Sequence, residues 1–210
     1  MRQHVQKPLG VILAGGRATR MGGGDKGRLD LCGQSLLDHV INRLSPQVAG
    51  LALNANGDAD RFADTGLPIL PDSVSEFPGP LAGVLAGLDW AAEQGRDCIV
   101  TAAADTPFFP LDLVAKLQNA TKDMPTPLAL ACSRGNDNKI WRQPTFGIWP
   151  VALRDDLRSA LQGGLRKVVL WTDRHRANQA VFDASAHDPF FNINTPQELA
   201  SARQIIEAGR

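Results

Sequence analysis

Leu9-Gly10-Val11-Ile12-Leu13-Ala14 is a continuous apolar run that stops at glycine. With no polar alternation, it predicts a strand buried on both faces, as in a parallel sheet. Ser35-Leu36-Leu37-Asp38 has the form of a capping box. It opens a helix with Leu37, Val40, Ile41 and Leu44 on one face, stopped before Pro46. Val48 to Asn54 and Leu67 to Leu70 read as further short strands. Pro80 suits the first turn of a helix that carries Leu81, Val84, Leu85, Leu88 and Ala92. Asp97 to Ala102 reads as a strand that runs out at Asp105, and Pro110 opens a helix with Leu113, Val114 and Leu117. Leu128 to Cys132 and Pro144 to Trp149 predict strands, and Val151 to Leu161 predicts a helix. Thr195-Pro196-Gln197-Glu198 reads as a second capping box before a helix with Leu199, Ala202, Ile205 and Ile206. Strands alternate with helices through about residue 120, which predicts βαβ units with right-handed crossovers. The expected fold is α/β, a mostly parallel sheet with helices on both faces. The remainder is less regular and is expected to add antiparallel strands and a cover.

Composition narrows the class. At 210 residues the chain is expected to form a single domain. Lys+Arg and Asp+Glu both total 22, so the formal net charge is zero. That argues against a nucleic-acid or anionic-membrane binder. Cys32, Cys98 and Cys132 are odd in number and far apart. They predict neither a disulfide framework nor a zinc site, and they suit a cytoplasmic protein. No apolar run approaches the ~20 residues of a membrane span.

Against this neutral background, Gly15 to Gly27 stands out. It holds Arg17, Arg20 and Lys26 against one acid, Asp25, among several glycines. It follows a strand, so it lies at the carboxyl edge of the sheet, where open α/β folds bind ligands. Glycines let backbone N–H groups approach an oxyanion, and the cations add mobile charge. A polyphosphate fits. Gly22 to Gly27 formally matches G-x-G-x-x-G, but too far beyond the strand for a dinucleotide turn. No P-loop string occurs. Asp105 follows three alanines at a strand end, facing the same crevice. It suits Mg²⁺, which needs only one or two carboxylates plus substrate phosphates; an aspartate ahead of Pro107 equally suits a turn or helix cap. The four histidines are scattered, and no nucleophile–base pair is suggested.

The string Leu13-Ala14-Gly15-Gly16, with Arg20-Met21-Gly22-Gly23 and Asp25-Lys26-Gly27, resembles the molybdenum cofactor guanylyltransferases. These are Rossmann-like nucleotidyltransferases. The similarity extends over Asn54, Asp72, Gly79-Pro80-Leu81-Ala82-Gly83, Asp105-Thr106-Pro107-Phe108, Gln143-Pro144-Thr145-Phe146 and Phe191 to Pro196. Gln143 stands where histidine is also expected, and Gly24 is an added glycine. The resemblance implies transfer of GMP from GTP to the terminal phosphate of molybdopterin, with release of pyrophosphate and with Mg²⁺ as cofactor. It implies Arg20, Lys26 and Asp105 as catalytic, with Asp105 also the metal ligand. Leu13, Ala14, Gly15, Gly16, Lys26, Asn54, Asp72 and Asp105 would bind the nucleotide. Gly79, Asn192 and Asn194 would lie on the molybdopterin side. Residues to about 120 would form a nucleotide half and about 121–210 a half for the second substrate. Cofactor-insertion proteins and molybdoenzyme chaperones are the implied further partners. A cytidylyltransferase of the same cofactor, a sugar-phosphate nucleotidyltransferase and a non-catalytic nucleotide-binding chaperone remain as alternatives.

Overall fold

The computed structural model of the chain describes residues 7–15, 25–74, 79–135, 137–183 and 187–209. In chain order the strands are β1 (Leu9–Leu13), β2 (Asp30–Leu31), β3 (Gln34–Ser35), β4 (Leu51–Asn54) and β5 (Ile69–Leu70), then β6 (Cys98–Ala103), β7 (Ala129–Arg134), β8 (Ile140–Pro150) and β9 (Asn178–Asp183). The helices are α1 (Leu36–Leu44), α2 (Pro80–Glu93), α3 (Leu113–Ala120), α4 (Arg154–Gln162), α5 (Val168–Arg174) and α6 (Pro196–Ala208).

Seven strands form one sheet in the order β5-β4-β1-β6-β8-β7-β9. Every strand but β8 runs the same way. The expectation of a mostly parallel α/β sheet is met, and β8 alone supplies the antiparallel pairing. β1 is an inner strand, and its neighbours β4 and β6 lie on opposite sides of it. The carboxyl ends of β1, β4 and β6 therefore flank a topological switch point, where a crevice opens.

Alternation along β1 sends Ile12 into one apolar layer and Val11 into the other. The Ile12 layer is closed by Leu37, Val40 and Leu44 of α1 and by Leu113, Val114 and Leu117 of α3. The Val11 layer is closed by Leu81, Val84, Leu85 and Leu88 of α2, with Leu157 of α4 and Trp171 of α5. Trp149 lies inside the second layer, donates its indole N–H to Thr101 at 2.8 Å and stacks on Trp171. A third, smaller cluster, Leu31, Leu36, Ile193 and Ala202, ties α6 to the start of α1.

α2 is buried around almost its whole circumference. It presses on the sheet through Gly83 and Gly87, one turn apart. A Cβ at Gly87 would stand 2.7 Å from Ile99 Cδ1 and 2.8 Å from Val11 Cγ2. This close approach sets the N-terminus of α2 beside the ends of β1 and β4.

Several local readings are corrected. β4 begins at Leu51, not Val48, because Ser45–Gln47 form a tight helical turn after α1. β8 begins at Ile140, well before Pro144, because paired Ile140 to Gln143 extend it beyond the core. The α1 capping box is complete: Ser35 Oγ accepts from the Asp38 N–H and Asp38 accepts from the Ser35 N–H. The box at α6 is only half formed. Thr195 Oγ1 accepts from the Glu198 N–H, but the Glu198 carboxylate accepts from Asn194 instead of Thr195.

Candidate active site

A cavity of about 330 Å³ opens at the switch point. Leu13 and Gly15 line it from the end of β1, Asn54 and Asn56 from the end of β4, and Asp72 from the end of β5. Gly79 and Pro80 enter from the start of α2, Ala103 and Asp105 from the end of β6, Thr145 from β8, and Asn192 from the segment before α6.

Asp105 lies just beyond β6, where the small Ala103 and Ala104 leave room beside it. It caps no helix; α3 is preceded by Asp112. Its Oδ2 accepts from Lys26 Nζ at 2.5 Å. Lys26 is only 9% exposed, so this ion pair is largely shielded from water. Lys26 Nζ also donates to Asn194 Oδ1. An ammonium has three donors. With these two assigned, one N–H is not taken by any described residue. Thr106, 1% exposed, places its hydroxyl 3.1 Å from Asp105 Oδ1 and against Asn192 Oδ1. The Ile193 N–H donates to the Asp105 carbonyl at 3.0 Å. The segment before α6 is thus bonded to the Asp105 backbone, to the Thr106 hydroxyl and to the lysine.

A second set of bonds orders the far wall. Asn54 Nδ2 donates to the Leu70 carbonyl at 3.0 Å and to Asp72 Oδ1 at 2.9 Å. Asn56 Nδ2 donates to Asp72 Oδ2 at 2.7 Å, and the Asp72 N–H returns to Asn56 Oδ1 at 2.8 Å. Among the described residues Asp72 is therefore held by amides, not by a cation. Asp25, the one acid of the glycine-rich loop, pairs with Arg61 at 3.0 Å. Gly79 has φ +149°, a conformation only glycine takes easily, and it turns the chain into α2 at the cavity rim. The helix start offers backbone N–H groups and a positive dipole end to an anion.

The family described as the MobA-like NTP transferase domain matches residues 10–178. A molybdenum cofactor guanylyltransferase of Bradyrhizobium sp. (strain ORS 278) is 49% identical over 199 residues, covering 93% of this chain and 92% of that protein. The chain belongs to the molybdenum cofactor guanylyltransferase family. A second guanylyltransferase of that name, from Mesorhizobium japonicum, is 47% identical and covers 95% of this chain and 96% of its own. Two solved structures share the fold. The molybdopterin-guanine dinucleotide biosynthesis protein A of Archaeoglobus fulgidus superposes with a TM-score of 0.71 at 22% identity, covering 95% of this chain and 99% of its own. A CMP:2-keto-3-deoxy-manno-octonic acid synthetase solved with CTP gives 0.72 at 17%, covering 98% and 100%.

Of the residues that the guanylyltransferase resemblance singled out, Leu13, Gly15, Asn54, Asp72, Gly79, Asp105 and Asn192 share the cavity. Lys26 and Asn194 are not in its lining; Lys26 is bonded to Asp105, which is, and Asn194 to Lys26. Ala14 follows β1 and donates its N–H to the Asn54 carbonyl at 2.9 Å. Gly16 and Arg20 lie outside the described residues. Asn56, Thr106 and Thr145 were not singled out as site residues. Thr145 enters the cavity through a bulge: β7 pairs Leu130 with Gly147 but Ala131 with Gln143, so Pro144 to Phe146 are looped out. A proline within a strand was the one available signal for it.

No group of three or more His, Cys, Asp or Glu that could hold a metal occurs among the described residues. Cys98 offers no nucleophile either, since burial first and the charge of Asp97 second push its thiol up to about 11. Gly83 is the tightest point of the site's support. A Cβ there would fall 2.1 Å from Asn54 Oδ1 and 2.8 Å from Leu13 Cδ2. Gly83→Ala is expected to cost about 1–3 kcal/mol through overpacking. Thermal melts check this; a parent-like melt would mean that Asn54 can turn aside freely.

Proposed function

We propose that this protein joins GMP from GTP to the terminal phosphate of molybdopterin and releases pyrophosphate. The observation that carries the reading is the shielded Lys26–Asp105 pair at the edge of a switch-point cavity, bonded to the Asn192–Asn194 segment. Relatives named guanylyltransferase along almost the whole chain support the choice of nucleotide.

In this reading an oxygen of the acceptor phosphate attacks the α-phosphorus of GTP. One P–O bond forms there, and the bond to the β-phosphate oxygen breaks. A phosphate monoester has its second pKa near ~6, so at neutral pH the nucleophile is already a dianion and needs no general base. The protein's task is to bring anions together. The third N–H of Lys26 meets a phosphate oxygen, the start of α2 receives another, and Arg20 adds charge from the glycine-rich loop. Leu13, Ala14, Gly15 and Gly16 lie on the base side, and Asn54 and Asp72 face the nucleoside. A Cβ at Gly15 would meet no atom of the described residues within 4 Å beyond its chain neighbours. Gly79, Asn192 and Asn194 belong to the acceptor side.

Asp105 lines the cavity, and its Oδ1 is not bonded to Lys26; one carboxylate suits a hard cation but is too little to enclose one without phosphate oxygens. Asp105 would therefore hold Mg²⁺ together with the substrate. When bound, Mg²⁺ supplies Lewis-acid neutralisation of phosphate charge. In this reading one domain takes both substrates, the nucleotide on residues to about 120 and the acceptor on the remainder; Thr145 and Asn192 of the remainder line the cavity. The free cysteines support a reducing cytoplasmic setting. No helix among the described residues is long and apolar enough to cross a membrane. The product would pass to cofactor-insertion proteins or molybdoenzyme chaperones.

Calorimetry with GTP, ATP, CTP and UTP, with and without Mg²⁺, tests the reading together with product analysis in the presence of molybdopterin. GTP should bind best, because donor and acceptor groups built for guanine would be left unpaired by other bases, discriminating by up to ~10⁴. Equal use of CTP would move the chain to the cytidylyltransferases. Equal use of all four would mean that only phosphates are read, and binding without transfer would make the chain a nucleotide carrier.

A further inference from the structure

Glu198 occupies the third position of α6, where a capping-box carboxylate would return to the N–H of the residue that starts the helix. Here Thr195 does its half of the box, accepting from the Glu198 N–H at 3.2 Å. The carboxylate does not return to Thr195. Its Oε2 accepts from the backbone N–H of Asn194 at 2.6 Å. It has been displaced by one residue from capping the helix to holding the neighbour of the cap. That neighbour is the residue whose side chain accepts from Lys26. Lys26 in turn is bonded to Asp105 at 2.5 Å.

We infer that Glu198 is a positioning residue for Lys26, acting through Asn194. By fixing the Asn194 backbone it fixes where Asn194 Oδ1 stands. That oxygen and Asp105 Oδ2 then take two of the three lysine donors and aim the third at the cavity. A carboxylate accepting a backbone N–H is a short, strong, directional bond, suited to this task. Glu198 touches neither substrate nor reacting atoms. The inference rests on the reading that Lys26 holds the nucleotide phosphates.

The experiment compares the parent, Glu198→Asp, Glu198→Ala, Glu198→Gln and Thr195→Ala. GTP binding, GMP transfer to molybdopterin and thermal melting are followed for each. Glu198→Asp withdraws the carboxylate by one methylene yet keeps a charge at the helix start, so it covers the case in which the alanine variant fails to fold. Both are expected to lower kcat/KM by roughly 10- to 100-fold, as sub-ångström to ångström misplacement of a charged group does. Glu198→Gln keeps an oxygen that can accept from Asn194 and should stay close to the parent. Thr195→Ala removes the helix cap without releasing Asn194, so it should lower the melting temperature and leave the kinetics in place. In an Asn194→Ala background, Glu198→Asp should cause no further kinetic loss, because the path it acts through is gone. Kinetics of Glu198→Asp equal to the parent's, or a loss that simply adds to that of Asn194→Ala, would overturn the inference while leaving the reading of Lys26 intact. A parent that binds no GTP would instead overturn that reading, and this inference with it.

Discussion

Lys26→Ala is expected to lower GMP transfer by on the order of 10²–10³ in kcat/KM, the cost of losing one donor aimed at developing charge. The structure gives a reason for the loss to reach binding as well. Lys26 is the cation against Asp105, and the pair together presents little net charge to the cavity. Without the lysine, the Asp105 carboxylate would face the triphosphate uncompensated. Removing that carboxylate too should therefore recover part of the GTP affinity measured without Mg²⁺, so under that condition Lys26→Ala with Asp105→Asn should bind GTP better than Lys26→Ala alone. Such non-additivity is expected of groups in direct contact. Isothermal titration of the three variants decides it, and losses that simply add would mean that the two residues serve separate parts of the ligand. Arginine is a poor substitute, since its broad planar fork would have to fit between Asp105 and Asn194.

The Asp105→Asn enzyme should also lose on the order of 10²–10³ in rate, but by a different signature. The substitution keeps the shape, and an amide oxygen can still accept from Thr106 or Lys26. What disappears is the charge. If Asp105 holds Mg²⁺ with the substrate phosphates, the Mg²⁺ concentration for half-maximal rate should rise. If the carboxylate serves only to orient Lys26, the rate should fall with the Mg²⁺ titration unmoved. Stability should fall by about 1–3 kcal/mol, because Lys26 is left shielded from water without its ionic partner. A melt and a Mg²⁺ titration on the same preparation separate these effects.

How much of this was legible from residue order depends on distance along the chain. The β1 strand, the α1 cap and the strand ends at Asn54 and Asp105 all follow from local pattern, because each is written within a few residues. The roles of Thr106 and Glu198 are not local. Thr106 matters because Asn192, 86 positions on, comes to lie against its hydroxyl. Glu198 looked like an ordinary cap residue, and only the observed partner shows otherwise. Gly83 of α2 stood in a recognisable string, yet its necessity comes from Asn54 at the end of β4. α5 and β9 escaped for an energetic reason. α5 spans seven residues, too few for a helical period to declare itself, and β9 mixes buried Ala180 and Phe182 with exposed Asn178, Gln179 and Asp183. The β2–β3 hairpin is shorter still, two residues a side around Cys32 and Gly33, both at positive φ.

The bond between Lys26 and Asn194 joins positions 168 apart. Closing so long a loop is entropically slow and must follow much of the sheet's assembly. During synthesis from the amino end, β1, β4, β5 and β6 can all leave the ribosome before Asn194 exists. A growing chain would thus possess most of its nucleotide wall while its lysine still lacked one of the two partners that aim it. Charge stabilisation would be complete only when the polypeptide had passed Glu198. Nascent chains would hold most of the sheet before Lys26 gains its Asn194 partner, so this tie is among the last of the site's contacts to close.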